Sequence, residues 1–141
     1  MILLLLLLAG CPSWLHTSVP DEAREFTADE RTIVVEHVER WERIIGPLGE
    51  CRQYADRLRV IDGDDATMLR WCHRANVNGC PAQRGGVGLI IARIGLSPVG
   101  HADIIGHEAT HLLGHCSRPT GHDWIGHSDP ALWGPDGVHP L

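Results

Sequence analysis

The chain has 141 residues, enough for one domain with a modest core. Twelve Lys and Arg residues against 18 acids leave a formal charge of −6, which argues against nucleic acid as a partner.

Residues Ile2 to Ala9 form an unbroken apolar run of leucine, isoleucine and alanine. A run this short cannot cross ~30 Å of hydrocarbon as a helix, so a transmembrane anchor is excluded, and the length is that of a signal-peptide h-region. It ends in Leu8-Ala9-Gly10-Cys11, which resembles the lipobox of bacterial lipoproteins. The resemblance implies cleavage before Cys11 and a diacylglyceryl group on its thiol. Residues 1–10 are then a signal peptide, and the chain is exported to the cell envelope and held at a membrane by a lipid anchor. Residues 11–26, with Pro12 and Pro20 among mixed polar residues, read as the lipidated cysteine and a tether to a domain over 27–141. Cys51, Cys72, Cys80 and Cys116 remain, an even number in an oxidising compartment. Two disulfides are expected, with all three connectivities open.

Thr27 and Glu30 make a capping box. After it Ile33, Val34, Val38, Trp41, Ile44, Ile45 and Leu48 recur at helical spacing, predicting an amphipathic helix of about 18 residues stopped by Gly46-Pro47. His37 falls among charged residues and reads as solvated. Arg57 to Ile61 alternates as a half-buried strand does, and Asp62-Gly63-Asp64 closes it with turn chemistry. Thr67 to Ala75 reads as a second strand, and Asn78-Gly79 with Gly85 and Gly86 brackets a loop containing Cys80. Val87 to Ile94 is the strongest strand candidate, nearly continuous in aliphatic residues. Pro98 and Gly100 break the chain before a helix from about Ala102 to Leu113, closed by Gly114. A long N-terminal helix, a small β-sheet, a second major helix and an irregular C-terminal segment make an α+β domain.

That second helix carries His107-Glu108-Ala109-Thr110-His111. Histidines four residues apart share one helix face, separated by ~6 Å of rise, so both imidazoles can reach one ion at zinc–nitrogen distances of ~2.0–2.1 Å. Glu108, about 100° around the helix, suits a base that faces water rather than a metal ligand. Catalytic zinc takes three protein ligands, and seven of the ten histidines lie at or beyond His101. No glutamate follows Glu108, which excludes a downstream glutamate as the third. His115 lies ~12 Å along the axis from His107 if the helix continues, too far for the same ion.

His107, Glu108, His111 and Gly114 resemble the metzincin form of the zincin motif, H-E-x-x-H-x-x-G-x-x-H, with Ser117 standing at the third-histidine position. His127-Ser128 and the following Ala131-Leu132-Trp133-Gly134-Pro135 are similar to the matrixin pattern of a histidine-serine pair leading to Ala-Leu-Met-Tyr-Pro. On that resemblance His127 is the third ligand after an insertion of about ten residues. Gly121-His122-Asp123 resembles the Gly-x-x-His-Asp of the snake-venom-type members, which keeps His122 and Asp123 open as rivals. The only methionines are Met1 and Met68, so Trp133 replaces the methionine of the Met-turn.

The resemblance implies a Zn2+-dependent metallopeptidase hydrolysing peptide or protein substrates. His107, His111 and His127 hold the metal, and Glu108 is the catalytic base. The alternative is a non-catalytic envelope lipoprotein whose clustered histidines bind metal.

Overall fold

A computed structural model describes residues 19–117 and has the expected α+β architecture. In chain order the elements are α1 (Ala28–Ile45), a 3-10 segment (Gly49–Arg57), β1 (Arg59–Gly63), α2 (Asp65–Cys72), β2 (Gly79–Arg84), β3 (Val87–Arg93) and α3 (Pro98–Ser117). The strands form one sheet in the order β1-β3-β2, with β3 parallel to β1 and antiparallel to β2.

The near-continuous apolar run of β3 follows from its central place, because both of its faces are covered. Ile90 and Ala92 point to one core, with Val60 and Leu58, against Trp41 and Val38 of α1 and Ile105, Ala109 and Leu113 of α3. Leu89 and Ile91 point to the other core, with Ile61, against Met68 of α2. α1 starts on the predicted capping box: Thr27 Oγ1 accepts from the Glu30 N–H at 3.2 Å, and the Glu30 carboxylate accepts from the Thr27 N–H at 2.8 Å.

Five expectations are corrected. The stretch from Thr67 is helix α2, not a strand, because Asp64 does more than turn the chain. Its carboxylate accepts the Thr67 N–H at 3.0 Å and caps a helix that His73 ends in the left-handed region. Met68, Trp71 and Cys72 then share one face at helical spacing. The bracketed segment around Cys80 is the edge strand β2, not a loop. Pro81 is tolerated there because its missing N–H points away from β3: Asn78 O accepts from Arg93 N, so residues 78, 80, 82 and 84 bond inward and 79, 81 and 83 face outward.

α3 begins at Pro98 and runs past Gly114. Pro98 occupies the first helical position, where no N–H is needed, and Ser97 Oγ caps the Gly100 N–H at 3.1 Å. Beyond Gly114 the helix is fastened to the 3-10 segment by the Cys51–Cys116 disulfide. The domain also begins before Thr27. Phe26 is buried, and Arg24 pairs its backbone with Val60 while its guanidinium binds both Glu30 and Asp62. Those bonds hold the Glu30 carboxyl below its ordinary range.

The fifth correction is His37, which is buried rather than solvated. Its ring lies against Gly106 of α3, where an added Cβ would sit 2.5 Å from its Cδ2. Burial, with the Arg40 charge next and Asp103 opposing, pushes it down to about 4. The spacing from Val34 to His37 to Trp41 already put this residue on the apolar stripe.

Candidate metal centre

α3 crosses α1 on one side and lies along the sheet on the other, so its residues sort by angle. Ile105, Ala109, Leu112 and Leu113 face the hydrophobic core and Gly106 faces α1. His107, Glu108 and His111 lie together beyond these, with the Glu108 carboxyl toward β2. His101 anchors the first turn, its Nε2 2.9 Å from Asp62 Oδ1 and its Nδ1 3.2 Å from the Arg93 carbonyl. The other end is held by Cys51–Cys116, so the helix is secured on both sides of the histidine pair.

The two histidines converge as their spacing requires. Their Nε2 atoms stand 3.1 Å apart, with the rings edge to face at 4.8 Å between centroids. Two nitrogens each ~2.05 Å from one tetrahedral ion stand about 3.3 Å apart, so the pair fits a single divalent ion with little adjustment. One ligand atom from each of His107, Glu108 and His111 lies within 4.8 Å of the others. This group can hold a metal ion.

Glu108 is only 6 % exposed, and burial pushes its carboxyl up to about 8. A cation beside it favours the charged form instead. Its Oε1 lies toward Gly79, the first residue of β2, 3.3 Å from where a side chain would begin there. Glycine lets the strand pass this close to α3, since a Cβ there would also meet Ile104 Cγ2 at 2.5 Å, and in the sequence Gly79 is legible only as a turn signal. Its relation to Glu108 joins residues 29 apart in the chain and needs the sheet to be visible.

The remaining site candidates are distributed as follows. Cys11, His122, Asp123 and His127 lie outside the described residues, as does Trp133. The four domain cysteines pair as Cys51–Cys116 and Cys72–Cys80, which decides the connectivity that sequence left open. Comparison of the chain with protein-family models, curated proteins and solved structures finds no match.

Proposed function

We propose that the domain is a zinc-dependent peptidase of the zincin type, exported and held at the cell envelope by a lipid on Cys11. One observation carries this reading: two imidazole Nε2 atoms 3.1 Å apart on a buried helix, with a desolvated carboxyl next to them against an edge strand.

His107 and His111 hold the zinc, and His127 completes the set, with His122 and Asp123 as rivals. Zinc bound there would supply Lewis-acid chemistry, activating water and polarising a carbonyl oxygen. Glu108 takes the proton from the attacking water and returns it to the leaving amine nitrogen. Beside a bound cation the Glu108 carboxyl would be held in its charged form and would act as a base.

The edge strand supports a peptide as substrate. Among the described residues no strand covers the outer side of β2. Gly79, Pro81 and Gln83 turn carbonyls outward there, and Gly79 and Gln83 also an N–H, which an extended peptide can bond. The two disulfides fit an oxidising compartment.

Seven histidines at or beyond His101 favour the second reading, a non-catalytic metal-binding protein. Metal content and casein hydrolysis of the chain from residue 11, carrying Cys11→Ser, separate the two when measured beside Glu108→Ala. The peptidase reading expects one zinc in both proteins and hydrolysis only with Glu108 present. Zinc in both and hydrolysis in neither would leave the metal-binding reading.

A further inference from the structure

The two halves of the described chain carry opposite charge. Residues 66–102 hold four arginines and no Asp or Glu, in a protein whose net charge is −6. Two of these arginines meet on one ring: the Arg70 guanidinium lies 5.3 Å from the Trp71 ring centroid and that of Arg84 lies 5.9 Å from it. Each guanidinium is held by the ring's face, and two cations on one indole make a local positive field that attracts an anionic group. Arg70 has Glu22 at 3.3 Å, but its side chain is 64 % exposed. Among the described residues no carboxylate pairs with Arg84 or with Arg74, both exposed.

The position of this pair gives it a use. Cys80 and Ala82 of β2 pack toward α2, and Arg84 follows them on the same face by the two-residue period of a strand. The Cys72–Cys80 disulfide ties α2 to β2 one residue from Trp71, so the arginines sit at a set place beside the edge strand. Gly79, at the other end of β2, adjoins Glu108. Five residue steps along the strand separate the two ends, ~17 Å at ~3.3 Å per residue.

We propose that Arg70 and Arg84 on Trp71 form a subsite for acidic side chains of a peptide lying along β2, four to six residues from the bond at Glu108. The proposal rests on the peptidase reading of the metal centre. Side chains of an extended peptide on that edge alternate between the sheet's faces, and those on the α2 face arrive at the two guanidinium groups. A carboxylate arriving there can accept a charge-assisted bond from either guanidinium in the field of both.

Fluorescence anisotropy tests this without requiring turnover. Labelled peptides of about twelve residues, identical except for Glu or Gln at two positions, are titrated at low salt into the chain from residue 11 with Cys11→Ser and Glu108→Ala. The Glu peptide is expected to bind about tenfold more tightly than the Gln peptide. Arg70→Gln with Arg84→Gln should reduce that preference below about twofold, while Arg70→Lys with Arg84→Lys retains part of it. Circular dichroism checks the fold of each variant. His107→Ala should keep the preference, so that loss of the metal and loss of the subsite read out separately. Where hydrolysis is measurable, Glu at the stated distance should raise kcat/KM in the parent and not in the arginine variant. Equal binding of the two peptides by the parent, or an unchanged preference in the arginine variant, overturns the proposal. Arginine-dependent binding to phosphatidylglycerol vesicles with no preference between the peptides also overturns it, in favour of a membrane surface.

Discussion

The two faces of the sheet are built differently. The face toward α1 and α3 carries the larger core, including the fully buried Trp41, Ile105 and Leu113, and its helices hold the buried titratable groups His37, His107 and Glu108. The face toward α2 rests on four buried residues, Ile61, Met68, Leu89 and Ile91, with a disulfide and a basic surface beside them. Two long helices crossing each other can keep water from a histidine pair and a carboxyl. A single helix of eight residues leaves its outer side chains in solvent, where charge acts on what arrives from outside. Burial on the first face tunes chemistry; exposure on the second presents charge.

Removing one disulfide at a time should separate the faces most sharply. Cys51–Cys116 spans 65 residues and Cys72–Cys80 spans 8. Loop-closure entropy gives about 4 kcal/mol for the first and about 2.5 kcal/mol for the second. Urea denaturation of Cys51→Ser/Cys116→Ser and of Cys72→Ser/Cys80→Ser should reproduce that order. The reverse order would show that the α2 face depends on its staple more than its small loop implies.

Metal binding should be confined to the first face. His107→Ala and His111→Ala are expected to weaken zinc more than 100-fold by competitive titration, about 2.7 kcal/mol or more, because each leaves too few ligands. His127→Ala should weaken it strongly as well. A large loss in His122→Ala or Asp123→Ala, with His127→Ala unchanged, reassigns the third ligand. The arginine pair on the α2 face should leave zinc affinity unaltered.

Two glycines make a smaller, matched test. A Cβ on Gly106 meets the buried His37 ring at 2.5 to 2.9 Å, whereas one on Gly63 meets the Thr67 side chain at 2.3 Å. Gly106→Ala should destabilise by about 1–3 kcal/mol and lower zinc affinity, since the ring cannot move without shifting α3. Gly63→Ala should disturb the start of α2 and spare zinc affinity.

pH dependence should also come from the α1 and α3 side. His37 falls from 6.5 to about 4 when folded, so its contribution is complete above pH 6.5 and is lost as pH falls toward 4. Glu108 rises from 4.5 to about 8, so in the metal-free domain its contribution is complete below pH 4.5 and is lost as pH rises toward 8. Thermal melts of metal-free Glu108→Gln should match wild type near pH 4 and exceed it by a few degrees at pH 8. His37→Gln should flatten the acid-side fall. An unchanged slope in either variant would remove that group from the account.

Sequence by itself determined the features whose cause is local. The capping box and apolar stripe specified α1, the aliphatic run specified β3, and the four-residue spacing of His107 and His111 required their convergence once the stretch was helical. The four cysteines of the domain, an even number, called for two disulfides. Local patterns misled where one residue type serves two purposes. Asp64 is as good an N-cap as a turn former, Pro98 begins a helix as readily as it breaks a strand, and Pro81 sits within a strand once that strand lies at an edge.

Only the tertiary structure decided which distant residues meet: Gly79 against Glu108, His37 against Gly106, Cys51 with Cys116, and Arg70 with Arg84 on one indole. Helix and turn preferences are set within about four residues by hydrogen bonds and rotamers. Those pairings depend on how helices and strands stack to bury their apolar faces, and no window along the chain contains that information.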